Sequence, residues 1–83
     1  MEICPGRILC VDDDLGTLRL RKVFLEAAGY SVLLASSGPE ALRLLSEGAE
    51  VDLVLLDYMM PEMNGNELAG KLRALFPNLR LIA

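Results

Sequence analysis

The stretch VDLVLLDYMMPEMNG, residues 51–65, decides the fold of this chain. Its first six residues form a nearly continuous apolar run, which is typical of strands that are buried on both faces of a parallel sheet. The run ends on the carboxylate of Asp57, and a turn rich in methionine and proline then closes at Gly65. The stretch therefore predicts a buried strand that delivers one carboxylate at its carboxyl end.

A second apolar run, RILCV at residues 7–11, ends in the same way, on Asp12, Asp13 and Asp14. A Pro-Gly pair bounds the run on its other side, so it also predicts a strand. In open α/β sheets, ligands bind at the edge formed by the carboxyl ends of the strands. We therefore expect Asp12, Asp13 and Asp57 to meet in one crevice, where their oxygens suit a hard divalent cation such as Mg2+.

Turn and capping signals divide the chain into alternating strands and helices. The predicted strands cover residues 7–11, 30–35 and 51–56, with a fourth beginning at Leu79, and the predicted helices cover residues 14–28, 37–48 and 64–75. Ser37 and Glu40 form a capping-box pattern at the start of the second helix. The order βαβαβαβ with short connections favours a doubly wound parallel α/β sheet with helices on both faces.

The first helix has a predicted cap and a predicted buried face. Asp14 is placed to cap its amino end, which is a far more common role for such a residue than metal binding. Leu20, Phe24 and Ala28 recur at helical spacing and are expected to form part of the inward stripe. Arg21 is expected to face water with the other charged residues of this helix.

Composition limits the classes of function. The 83 residues form one domain at most, and a net charge of −4 without a large basic cluster argues against nucleic-acid binding. No apolar run reaches the roughly 18 residues of a membrane span, and no signal peptide is recognisable, so a cytoplasmic protein is expected. Cys4 and Cys10 match no metal or redox spacing. The clustered methionines are more typical of gap-filling hydrophobes than of a soft-metal site.

Three motifs together resemble a known family. They are Asp12-Asp13 after the first strand, Asp57 after the third, and the pattern Met-Pro-x-Met-Asn-Gly at residues 60–65. With this element order, the chain resembles the receiver domain of bacterial two-component response regulators, of the chemotaxis-regulator type. The resemblance implies a flavodoxin-like fold and Asp57 as acceptor of a phosphoryl group from a sensor histidine kinase. It also implies Mg2+ binding by Asp13, Asp57 and the backbone carbonyl of Met59, with Asp12 acting mostly through water.

The resemblance also has limits. The family pattern places a Ser or Thr at the end of a fourth strand and a Lys at the end of a fifth, whereas this sequence stops at Ala83. We therefore expect a leader at residues 1–6 and a partial receiver domain at residues 7–83, an acceptor rather than an enzyme, with impaired phosphorylation. The fourth strand would be an exposed edge, and such edges recruit other chains. Self-association or segment exchange is expected to follow.

Of three alternatives, the sequence disfavours two and leaves one open. Residues 12–18 resemble the nucleophile motif of haloacid-dehalogenase phosphatases, but Leu15 stands where glycine should follow Asp14. The same stretch fails the calcium-loop pattern, because Gly16 falls one place early and Val23 replaces the required Glu. The serious alternative is a truncated receiver that acts only as a structural or oligomerising module. Dependence on Mg2+ discriminates between that module and a working phosphoacceptor.

Overall fold

The computed structural model describes residues 6–56 and 65–82, so predictions about residues 1–5, 57–64 and 83 lie outside it. Within these ranges, strands and helices alternate as the sequence predicts. They are β1 (Arg7–Val11), α1 (Leu15–Ala27), β2 (Ser31–Ala35), α2 (Gly38–Ser46), β3 (Leu53–Leu56), α3 (Gly65–Leu75) and β4 (Arg80–Ile82). No helix in these two ranges is long and apolar enough to cross a membrane.

The strands form one parallel sheet in the order β2-β1-β3-β4. This confirms the predicted parallel α/β sheet, and the order agrees with the flavodoxin-like pattern. β1 pairs with β2 on one side and with β3 on the other, and Val11 lies in register with Leu56. The chain therefore leaves β1 and β3 at the same edge of the sheet, at the position where the strand order reverses.

Both faces of the central strand are buried, as the continuous apolar run predicts. Leu9 and Val11 point into the larger core, which the sheet forms with α2 and α3. The remaining buried members of this core are Ala35, Ala41, Leu45, Val54, Leu56, Leu68, Ala69 and Leu72. Ile8 and Cys10 face the other side, where they pack with Leu18 of α1. The sheet thus has helices on both faces, and its centre is shielded from water.

The predicted inward stripe of α1 is wrong. Leu18 is 1% exposed and Leu25 packs against the core, whereas Leu20 and Phe24 are 57% and 67% exposed and Ala28 is exposed too. Leu18 and Leu25 are seven residues apart and therefore lie on one line of the helix, while Leu20 lies about 160° away from Leu18. Apolar residues occur around much of α1, so spacing alone did not select the buried face.

At the start of α2, one of the two hydrogen bonds of the predicted capping box is observed. The Ser37 side chain accepts a hydrogen bond from the backbone N–H of Glu40 at 3.2 Å, which confirms Ser37 as the N-cap. The Glu40 carboxylate does not return to the N–H of Ser37. It accepts instead from the N–H of Ser36 at 2.6 Å and from the Ser36 hydroxyl at 3.1 Å, one residue earlier. The side chain therefore closes a slightly larger loop than a capping box.

At the opposite, amino edge of the sheet, Arg7 and Asp52 are joined by two hydrogen bonds. Asp52 donates its N–H to the carbonyl of Arg7 and accepts the Arg7 N–H on Oδ2, both at 2.8 Å. Gly6 precedes this pair with φ of +106°, and a Cβ there would lie 2.6 Å from Asp52 Oδ2. Only glycine fits this position without strain, which explains why β1 begins directly after a Pro-Gly pair.

Candidate functional site

Asp12 stands at the carboxyl end of β1 and is buried. Its N–H donates to the carbonyl of Ala35 at 3.2 Å, so the backbone is held against the end of β2. The residue is 5% exposed, and among residues 6–56 and 67–82 it is the one polar or charged residue that is buried. Burial of a carboxylate is unfavourable unless hydrogen bonds or opposite charges compensate it. Asp12 therefore needs partners at this edge.

Two partners of the Asp12 carboxylate are defined. Oδ1 accepts a hydrogen bond from the backbone N–H of Asp14 at 3.0 Å. Oδ2 lies 3.7 Å from Nη1 of Arg21, which reaches the site from α1. A backbone donor on one oxygen and a guanidinium beside the other keep this carboxylate in a fixed position and offset part of its charge.

Asp14 caps α1, as the sequence predicts. Its Oδ1 accepts from the N–H of Gly16 at 3.1 Å, and its Oδ2 accepts from the Thr17 hydroxyl at 2.7 Å. The hydrogen bond from Thr17, followed by that from Gly16, lowers the pKa of the Asp14 carboxyl below its usual value. This carboxylate is thus engaged in the helix start. Asp13 lies between the two and is exposed.

Two of the predicted Mg2+ ligands, Asp12 and Asp13, lie within the described residues. Asp12 and Asp13 lie at the carboxyl edge of the sheet, next to the end of β3, because Val11 pairs with Leu56. Asp57 and the backbone carbonyl of Met59 lie outside the described residues, so their predicted roles stay predictions. Within the described ranges, no group of three or more His, Cys, Asp or Glu residues is arranged to hold a metal ion. The donors present are hard carboxylate oxygens, which fit Mg2+ in kind.

Arg21 is the residue at this site that sequence reasoning missed. Its side chain is 39% exposed, and it points to Asp12 rather than wholly into water. The available signal was the position of Arg21 between Leu18 and Leu25 on α1, since residues three, four and seven apart share a helix face. That signal is usable only when the buried face of α1 is known.

The Arg21 charge also acts on Cys10 of β1. Cys10 is fully buried and its thiol is free. Burial raises the pKa of this thiol, and the charge of Arg21 lowers it by a smaller amount. A buried thiol with a raised pKa stays protonated and is a poor nucleophile or ligand. Cys10 is therefore a core residue beside the site, in agreement with the sequence interpretation.

Two clefts lie away from Asp12 and Asp13. Their volumes are about 730 and 710 Å³, and both open at the amino edge of the sheet, where Arg7 and Asp52 contribute to their walls. Neither contains Asp12 or Asp13. Size alone therefore does not identify the chemical site, and the buried carboxylate at the switch point of the sheet is the stronger indication.

Comparison with known proteins identifies the family. The family model described as the response regulator receiver domain matches residues 8–83. The transcriptional regulatory protein GlrR of Escherichia coli K12 is 42% identical over 78 residues, which are 94% of this chain and 17% of that protein. A response regulator receiver domain protein of Clostridium thermocellum has a TM-score of 0.87 at 32% identity, covering 92% of this chain and 61% of that chain.

A further solved structure is that of the response regulator protein TrrA of Thermotoga maritima in complex with Mg2+-BeF. Its TM-score is 0.85 at 39% identity, over 90% of this chain and 64% of that chain. The chain thus spans less than two thirds of each of these proteins. Receiver domains are signalling domains that accept a phosphoryl group on an aspartate from sensor histidine kinases. The family match, the identities and the shared sheet show that this chain belongs to the response regulator receiver domain family.

Proposed function

We propose that this chain is a phosphoacceptor that takes a phosphoryl group onto Asp57 from the phosphohistidine of a sensor histidine kinase. The observation that carries the proposal is the register of β1 and β3. Val11 pairs with Leu56, so β1 and β3 end side by side at one edge of the sheet, and Asp12 and Asp57 are the next residues in the sequence after these two strands. A buried carboxylate already marks that edge.

The proposed transfer is a displacement at phosphorus. One carboxylate oxygen of Asp57 forms the new P–O bond while the P–N bond of the donor phosphohistidine breaks. The donor ring leaves with the electron pair of that bond and takes up a proton. These 83 residues contain no histidine, which is consistent with an acceptor and requires the donor to lie elsewhere.

The proposal includes Mg2+ at the acidic edge. Asp13 and Asp57 would hold it through carboxylates and Met59 through its backbone carbonyl, while Asp12 would act mostly through bound water. Clustered carboxylates repel one another and the incoming phosphoryl oxygens, and a bound divalent ion supplies the charge that offsets both. The complex of the relative TrrA with Mg2+-BeF supports this assignment.

The remaining parts of the proposal concern extent and location. Residues 7–83 would form the receiver part of the protein, with residues 1–6 as a leader. A cytoplasmic location is proposed because a free, buried thiol such as that of Cys10 is typical of reducing compartments. The net charge of −4 gives no basis for nucleic-acid binding by this part of the protein.

The first test is stabilisation by Mg2+. The melting temperature of the parent chain is expected to rise in millimolar MgCl2, since a ligand at ten times its Kd stabilises the folded state by about 1.4 kcal/mol. Asp13→Ala is expected to abolish the rise, because it removes an exposed carboxylate from the edge without opening the core. Thermal melts followed by circular dichroism, with and without MgCl2, measure both effects.

The matched control is Asp52→Asn, which changes an exposed aspartate at the opposite edge of the sheet. Its amide oxygen retains the acceptor for the Arg7 N–H, and its response to Mg2+ is expected to equal that of the parent. A parent chain that melts at the same temperature in all MgCl2 concentrations would contradict the phosphoacceptor proposal. That result would favour the structural module instead.

We also propose that copies of this chain associate through β4. This strand is an outer strand of the described sheet, and its Ile82 is 51% exposed. An outer strand presents unpaired N–H and C=O groups, so a second copy can extend the sheet there. Association through β4 is compatible with phosphorylation of Asp57. If the chain associates but is not phosphorylated, it corresponds to the oligomerising module considered above.

Charge on β4 is expected to weaken this association. Ile82→Lys places an ammonium group on the outer strand, and the measured mass of the assembly should fall to that of the monomer. If the parent is a dimer, this is a drop of about twofold. Size-exclusion chromatography with light scattering over a range of concentrations measures it. Leu75→Lys, at a position on α3 that is 61% exposed, is the control and should leave the mass unchanged. A parent chain that is monomeric throughout would rule the interface out.

A further inference from the structure

Arg21 is the cation nearest to the buried carboxylate among the ion pairs of the described residues. Its Nη1 lies 3.7 Å from Asp12 Oδ2, and the Arg21 and Asp12 side chains are 39% and 7% exposed. The pair is therefore asymmetric, with a fixed carboxylate on the strand and a long, partly solvated side chain on the helix. A guanidinium at this distance is an ion-pair partner, not a close bidentate one.

The position of Arg21 follows from the observed packing of α1. Leu18 and Leu25 anchor the buried face of the helix against Ile8 and Cys10. Arg21 lies between the two anchors along the helix, at the border of the buried face. Its side chain can reach the end of β1 from there, whereas the exposed Arg19 lies on another side of α1.

We infer that Arg21 acts as a built-in competitor for the divalent cation at the acidic edge. In the metal-free chain its charge offsets that of Asp12, so part of the benefit of adding a cation is already present. A Mg2+ ion bound at this edge would also be repelled by the like charge of Arg21. The neutralisation of Asp12 by Arg21 and the repulsion between Arg21 and the ion both reduce the affinity of the site for Mg2+. This inference rests on the proposed function, because it assumes that the acidic edge binds Mg2+.

The other acidic groups at this edge that the structure describes do not provide the same effect. The Asp14 carboxylate is engaged by the Thr17 hydroxyl and the Gly16 N–H. Asp13 is exposed and negative, and it attracts the ion. Arg21 therefore sets the balance of charge from the side of α1. Since its side chain is partly exposed, it can turn toward water when the ion binds, at little steric cost.

The experiment compares Mg2+ affinity in Arg21→Met and Arg19→Met. Both variants remove one positive charge from α1, but only Arg21→Met removes a charge that lies beside Asp12. Titration with MgCl2 at low ionic strength, followed through the backbone amide NMR signals, gives Kd for each chain. We expect the Kd of Arg21→Met to fall about fivefold, a change that a few ångströms of separation at high dielectric can produce. Arg19→Met should stay within about twofold of the parent, because solvent screens an exposed and more distant charge.

A second readout separates competition from a merely structural role. In the absence of Mg2+, Arg21→Met is expected to melt at a lower temperature than the parent, because Asp12 loses a partner. In saturating MgCl2 the gap should narrow, since the ion replaces the lost charge. A purely structural residue would lower the melting temperature equally in both conditions. Arg21→Lys, which retains the charge, should bind Mg2+ like the parent, and Arg21→Gln serves as the neutral variant if Arg21→Met does not fold.

The outcomes are distinguishable. An unchanged or raised Kd in the neutral variants, with Mg2+ binding intact in the parent, would overturn the competitor role and leave the proposed function standing. No Mg2+ binding by the parent would overturn both. A lower Kd in the Arg21 variants alone, with a difference that shrinks as salt is added, is the result that supports the inference.

Discussion

Asp57→Asn is expected to abolish phosphorylation of this chain by a small-molecule phosphodonor in the presence of Mg2+. The carboxylate of Asp57 is the proposed nucleophile, and an amide in its place carries no negative charge, so its oxygen is a much weaker nucleophile. Intact-mass spectrometry of the parent and the variant after identical incubation measures the effect. The parent should gain the mass of one phosphoryl group, and the variant should gain none.

Two other carboxylates near this edge, those of Asp12 and Asp14, are less suited to be acceptors. The Asp12 carboxylate is buried and is engaged by the Asp14 N–H and by Arg21. Asp14 is engaged in the cap of α1. This distribution of partners favours different roles for the two carboxylates. Asp12 would contribute negative charge to the site, and Asp57 would react with the phosphoryl group. The comparison with Asp57→Asn tests these roles directly.

Asp52→Asn is the matched control for this experiment. It makes the same chemical change at the opposite edge of the sheet, and its phosphorylation should equal that of the parent. A phosphoryl group on Asp57→Asn would show that another residue accepts it, and the site assignment would be wrong. A folded parent that gains no mass would favour the structural module.

Turn and capping residues in the sequence explain why so much of the sheet was predictable. β1 occupies residues Arg7–Val11, the bounds expected from a Pro-Gly pair before it and three aspartates after it. Gly6 adopts a positive φ and Asp14 caps a helix, so both residues act through backbone geometry that sequence encodes locally. The continuous apolar runs then required burial on both faces, and a parallel sheet with two helical layers meets that requirement.

The errors of prediction arose where tertiary packing decides between local alternatives. α1 offers several apolar lines, and the sheet selects the one with Leu18 and Leu25. The same selection places Arg21 beside Asp12, so one error of helix phase concealed both the buried face and a site residue. The Glu40 carboxylate similarly had two neighbouring N–H donors within reach, and it contacts that of Ser36.

Leu9→Ala is expected to remove a large part of the stability of this chain. Leu9 is fully buried at the centre of β1, in the core that the sheet forms with α2 and α3. Replacing a buried leucine with alanine costs about 2–5 kcal/mol, through lost transfer energy and the cavity that remains. A chain of this length has about 4–12 kcal/mol of stability in total. Urea denaturation followed by circular dichroism should therefore show a strongly lowered midpoint or a partly unfolded chain in water.

Leu33→Ala is the control that separates packing from strand pairing. Leu33 is the register partner of Leu9 on β2, but it is 38% exposed. Its truncation removes the same atoms from the same rung of the ladder and leaves no enclosed cavity, so we expect a loss below about 1 kcal/mol. Equal losses in the two variants would mean that the β1–β2 pair is held mainly by its backbone ladder. A much larger loss at Leu9 would mean that helix packing against the central strands holds the carboxyl edge, and with it Asp12, in place.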